Sequence, residues 1–328
     1  MTDTAVPARD RATATTSSAA SPAAPHRRSR RDEGPFQARR RRLFWPFVAV
    51  PLVLYLVFFL GPTLASFWIS LHAWDGIGEM KFRGLGNYEV LLGDEVFRGA
   101  FANTLIILVG VGLAVFVASF ALAMVLRELA GRKFARAVLF FPNIIAPIVL
   151  SVLWGFIFQN DGLLDSALQG IGISDGPNWL GDHLFFVILL GLAWVNTGFY
   201  VTIIMAGVDR IPPYLYEDCK LAGANAFQRF WHVTLPLTWD VVATSAILWT
   251  ISSLKIFEFL YAFGGTTNDM PPTGVWNSAL FIYGQTFGGR TPPYLFGYAS
   301  AAAVVTLLFL IVLVFLFRRV LRREVIEF

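Results

Sequence analysis

FANTLIILVGVGLAVFVASFALAMVL, residues Phe101–Leu126, contains no Asp, Glu, Lys or Arg. An α-helix rises about 1.5 Å per residue, so this stretch is longer than a hydrocarbon layer of about 30 Å requires. Lipid offers no hydrogen-bond partner, so every backbone N–H and C=O must be paired within the segment. A transmembrane helix is therefore predicted. Five further blocks have the same character, at about 47–69, 137–158, 184–206, 241–262 and 297–317, beside 101–126 itself. None shows the ten-residue alternation of a barrel strand. The fold class expected is an all-α integral membrane protein with about six transmembrane helices.

The composition agrees. Of 328 residues, 56% are hydrophobic and only 15% are charged, against about 25% charged in soluble domains. The single cysteine, Cys219, excludes an internal disulfide or a CxxC redox pair. The four histidines form no HExxH pattern. No metal site and no catalytic residues are expected.

The net charge of +4 is not spread over a soluble basic face. With the N-terminus inside, the segments 1–42, 127–136, 207–240 and the tail after Phe317 hold 21 of the 26 Lys and Arg residues. The outer segments hold four, and Lys255 lies within a span. The segment 159–183 carries Asp161, Asp165, Asp175 and Asp182 with no basic residue. This asymmetry follows the positive-inside rule and places both termini in the cytoplasm. Residues 1–42 carry almost no large apolar side chains before Phe36. They are expected to be a disordered basic tail, without the early apolar stretch of a signal peptide. Residues 43–328 are expected to form the transmembrane domain.

The segment 207–240 is too polar to cross and too patterned to be a plain connector. Its core, Ile211–Leu237, reads IPPYLYEDCKLAGANAFQRFWHVTLPL. Pro212 and Pro213 suit the first turn of a helix. Gly223 is a natural C-terminal stop. A second short helix over Ala224–His232, ended by Leu235–Pro236, completes a helix–turn–helix.

This segment resembles the EAA loop of the membrane subunits of binding-protein-dependent ABC importers. Glu217-Asp218-Cys219 is followed after three residues by Gly223, and after nine more by Val233-Thr234-Leu235-Pro236. Asp218 and Cys219 stand where that family carries alanines, and Val233 where it carries isoleucine. Further stretches, Phe82–Tyr88, Phe101–Leu105, Ser253–Glu258 and Gly264-Gly265, are similar to its maltose, oligosaccharide and glycerol-phosphate branch, the maltose-type "F" permease in particular. The resemblance implies a sugar-importing permease working by alternating access. It implies two ATP-binding subunits, a second related permease subunit and an external solute-binding protein. It also implies no cofactor on this chain, with ATP and Mg on the partner subunits. Glu217, Asp218, Cys219, Gly223, Val233, Leu235 and Pro236 are then the docking residues for an ATP-binding subunit. No Walker A sequence or nucleophile–base pair is present, so the chain is not expected to be an enzyme.

Polar residues within spans are candidates for a substrate pathway. Lys255 and Glu258, three apart in an unbroken fifth helix, would share a face. They read either as a self-neutralising ion pair or as pathway groups. Asn143, Asn196, Thr197 and Tyr200 could bond sugar hydroxyls, or bond between helices. Pro51 and Pro62 are read as packing kinks, whereas Pro142 and Pro147, flanking Asn143, suggest an irregular helix. A stand-alone channel is the alternative class, and it would need neither the loop nor ATP. A membrane-embedded enzyme would need clustered His, Asp or Glu at catalytic spacing.

Overall fold

A computed structural model describes residues 35–129, 131–173, 176–264 and 270–321. The tail expected over 1–42 lies mostly outside the described residues, as do Asp175, Gly265 and the chain after Leu321. Where described, it needs correcting, because helix begins at Pro35 (Pro35–Tyr55) rather than after residue 42.

Residues up to Phe58 and those from Phe59 onward form two compact units. In the first, the helix carries exposed apolar side chains, among them Phe44, Trp45, Phe47 and Leu54. In the second, helices pack around a core that includes Leu91, Ile107, Val115, Leu150, Ile188 and Leu280. Among the described residues five helices are long and apolar enough to cross a membrane. They are Phe44–Ser70, Glu95–Arg127, Pro147–Gly170, Leu184–Val208 and Phe296–Val320. A sixth span counts if the bent pair Ala226–Leu237 and Trp239–Leu254, which meet at 76°, is one unit. The multi-pass helical fold read from the sequence is therefore present. A two-stranded antiparallel ribbon, His72–Ala73 with Lys81–Phe82, follows the first span. In its turn the Asp75 carboxylate accepts the N–H of Gly78 and Ile77, which holds its pKa below the usual carboxylate value. Behind the ribbon, buried Asn87 donates to the carbonyls of Ser70 and His72.

The third span is irregular, as Pro142 and Pro147 suggest, whereas the fifth differs from the unbroken helix expected. The third is split: Arg132–Phe140 is helical, Phe141–Ile144 is a 3₁₀ turn, and helix resumes at Pro147–Phe158. Pro142 and Pro147 lack the N–H groups that a continuous ladder needs, and each sits at the start of its own helical piece. The fifth stops at Leu254, eight residues before the expected 262, and resumes only as the turn Glu258–Tyr261. The break frees the Ile256 carbonyl, and the Asn277 side chain donates to it while accepting the Leu280 N–H. An interrupted backbone at membrane depth survives only where protein satisfies it, and buried Asn277 does so here.

Candidate functional site

The segment Ile211–Leu237 folds as two arms about a tight turn. The first arm, Pro213–Leu221, begins at a proline, where the missing N–H costs little. It ends in a complete Schellman closure: Ala224 N–H bonds Cys219 O at 2.9 Å and Gly223 N–H bonds Lys220 O at 3.0 Å. Gly223 has φ of +80°, the left-handed conformation such closure needs. Two residues on, Asn225 caps the second arm, Ala226–Arg229, in a capping box with Gln228. Removing such a cap costs about 0.5–2 kcal/mol. The arm does not end at Leu235–Pro236 as expected. It passes through a π-helical stretch, Phe230–Thr234, into Leu235–Leu237. Pro236 lies in the first turn of that last piece, where its missing N–H is tolerated.

The seven docking candidates divide by burial. Glu217, Asp218, Gly223 and Pro236 are exposed. Cys219 and Leu235 are half-buried, and Val233 is buried. Val233 packs with Ile211 and Tyr216, and Cys219 lies against that cluster, so these residues hold the element's shape. Leu221, Phe227 and Trp231 are exposed as well, by 88%, 69% and 50%. Motif reading missed these three. The signal was the i, i+4 spacing of Phe227 and Trp231, whose rings lie 6.0 Å apart.

Charged contacts tie this end of the molecule together. Asp209, at the end of the fourth span, accepts from Arg132 at 3.1 Å and Arg136 at 3.0 Å. Arg210 reaches Asp240 at 2.8 Å. Partly exposed pairs of this kind contribute about 1 kcal/mol or less each.

The pathway candidates fare differently. Asn143 reaches across to the Val195 carbonyl of the fourth span at 3.3 Å, so it does bond between helices. Asn196 and Thr197 bond back to Leu192 and Ala193 on their own helix. Tyr200 is buried among Phe116, Phe199 and Trp249. The expectation for Lys255 and Glu258 is corrected. The break after Leu254 leaves Lys255 as the cap of one helical piece and Glu258 at the start of the next, both are exposed, and no ion pair joins them. The structure therefore ties Asn143 to Val195 of the fourth span, and leaves Lys255 and Glu258 at the fifth-span break.

Apolar spans, two of them broken, with a locally specified helix–turn–helix at their ends, define a multi-pass helical membrane protein. Residues 110–327 match the family described as binding-protein-dependent transport system inner membrane component. The chain belongs to that family, and it is a transport subunit. It is 30% identical over 290 residues to the diacetylchitobiose uptake system permease protein of Streptomyces coelicolor, covering 81% of this chain and 80% of that one. It is 34% identical over 233 residues to the trehalose/maltose transport system permease protein of Thermococcus litoralis, covering 69% and 78%. Its fold is similar to that of a bacterial ABC transporter that imports alginate. The TM-score is 0.73 at 21% identity, over 88% of this chain and 98% of that chain.

Proposed function

We propose that this chain is one of two permease subunits of an ATP-driven importer for a sugar, an oligosaccharide or a glycerol-phosphate-like solute. The helix–turn–helix Ile211–Leu237 faces the cytoplasm and docks an ATP-binding subunit. The observation that supports docking is the exposure of acidic Glu217 and Asp218 and of apolar Leu221, Phe227 and Trp231 on two arms held in shape by the Gly223 closure and the Asn225 cap. An amphipathic helix resting on lipid headgroups would present basic residues there. ATP and Mg act on the partner subunits, and an external binding protein delivers the solute. The substrates named for the two relatives above, diacetylchitobiose and trehalose or maltose, support the sugar reading. The decisive assay is uptake of maltose, trehalose and diacetylchitobiose by the reconstituted complex. Uptake should require ATP and the ATP-binding subunits. Uptake of equal rate without either would instead identify a stand-alone channel.

Sidedness is open to direct measurement. Reporters fused within 207–240 and after Phe328 should be cytoplasmic, and one fused at Asp175 should be external. An external signal from 207–240 would overturn the docking proposal, since ATP-binding subunits act in the cytoplasm.

Lys255 and Glu258 remain proposed pathway groups, now as separate charges at the fifth-span break. Each single replacement by leucine should preserve assembly and lower uptake about tenfold or more, since hydrogen bonds to charged groups contribute about 1.5–3 kcal/mol. The double replacement should be no better than either single one. Rescue by the double replacement would show that the two neutralise each other after all.

A further inference from the structure

The second span ends in Arg127, with Glu128 as its C-terminal cap residue. These two neighbours hold both arms of the helix–turn–helix. The Arg127 guanidinium carbon sits 3.3 Å from the centre of the Tyr216 ring, on the first arm. The Glu128 carboxylate lies 3.6 Å from Lys220 on the first arm and 3.6 Å from Arg229 on the second. Arg229 is only 13% exposed, and its Nε has no hydrogen-bond partner. Glu128, itself 63% exposed, is its acidic partner among the described residues, so the contact positions Arg229 while contributing about 1 kcal/mol or less to stability. The two arms are also locked to each other, because the buried Tyr216 hydroxyl and the Thr234 hydroxyl are 2.9 Å apart. Thr234 in turn donates to the sulfur of Met124, one turn back in the second span.

We infer that Arg127 and Glu128 form the joint through which movement of the docked helix–turn–helix enters the second span. The inference rests on the docking proposal and adds the route. The contacts converge on two consecutive residues, they engage both sides of the Gly223 turn, and Tyr216, Thr234 and Met124 make one packed unit of arms and span end. The loop's other tethers, Asp209 with Arg132 and Arg136, and Arg210 with Asp240, join the ends of spans to one another and do not touch the arms. Glu128 is thus a positioning residue. It touches neither solute nor nucleotide, and it fixes how a push on the arms is delivered.

The test is hydrogen exchange on the assembled complex, with and without ATP and vanadate, for wild type, Glu128→Gln, Glu128→Lys and the charge-swapped Glu128→Lys/Arg229→Glu. In wild type, protection should change together over 211–237 and 112–128. In Glu128→Gln and Glu128→Lys the ATP-binding subunit should co-purify in normal yield and 211–237 should still respond, while the response of 112–128 is lost. Uptake per ATP hydrolysed should fall about tenfold, equivalent to about 1.4 kcal/mol. The charge swap should restore the response of 112–128 and bring uptake to within about twofold of wild type, which mere loss of packing would not do. A wild-type response in Glu128→Gln, or a swap that restores nothing, would overturn the joint. So would a fall in uptake matched by equal loss of the ATP-binding subunit. If wild type itself never retains that subunit, the docking proposal fails instead.

Discussion

Replacing Gly198 by valine should leave little folded protein in the membrane. Gly198 lies in the fourth span, Leu184–Val208, where it crosses the first piece of the split third span. A Cβ added there would fall on the carbonyl oxygen of Leu139 and against Phe140 Cα. The obstacle is backbone, which cannot rotate away as a side-chain tip can. Overpacking of this sort costs about 1–3 kcal/mol and more where nothing yields. Close approach through small residues is also how membrane helices gain contact without a hydrophobic driving force. Gly198→Ala should therefore lower the melting temperature of purified protein by several degrees, and Gly198→Val should abolish monodisperse extraction in detergent. Gly99 is the control. It is an exposed helical glycine in the second span with nothing within 4 Å of an added Cβ. Gly99→Ala should be neutral or stabilising by about 0.5–1 kcal/mol. Equal stability of the two alanine variants would show that the crossing at Leu139 is looser than the structure has it.

The crowding at Gly198 was not legible in the sequence, because its apolar block does not name the partner helix whose Leu139 carbonyl an added Cβ would meet. What the sequence did reveal has local causes. The run Phe101–Leu126 must be helical wherever it meets lipid. Pro142 and Pro147 break a ladder through their own chemistry. Gly223 terminates a helix through its own backbone freedom, and the Schellman closure forms from residues within five positions of one another. What stayed hidden depends on distant partners. The fifth span reads as apolar through Ala262, yet it stops at Leu254, where Asn277, 21 residues from Ile256, satisfies the opened carbonyl. Lys255 and Glu258 were paired on the assumption of continuous helix, and that assumption failed with the break. The clasp on Arg229 was hidden because Glu128 lies about a hundred positions away, on another span.

The docking turn yields the other large effect. In Gly223→Val the φ of +80° becomes strained, because a β-branched residue strongly resists the left-handed region. No internal atom lies within 4 Å of an added Cβ, so the effect comes from the turn and from whatever seats against it, not from the chain's own packing. The variant should insert and purify normally, lose most of its ATP-binding subunit on co-purification and fall to background uptake. Gly223→Asn separates the two contributions. Asparagine tolerates a left-handed backbone, so it restores the turn while keeping a side chain at the surface. Recovery in Gly223→Asn assigns the defect to turn strain, and persistent loss assigns it to crowding of the partner. Glu217→Lys reverses the charge on the exposed face and should weaken retention of the same subunit without touching the fold. Asp218→Ala should be mild, since it brings the first arm nearer the alanine-rich pattern of the loop it resembles. Cys219 gives a physical readout, as the one thiol in the chain. It is half-buried against Ile211, Tyr216 and Val233, so a cysteine at Leu221, which is 88% exposed, should crosslink to the partner faster than Cys219 does. Normal transport by both Gly223→Val and Glu217→Lys, with no crosslink from either position, would remove the helix–turn–helix from the coupling route. The clasp at Arg127 and Glu128 would then have no movement to transmit.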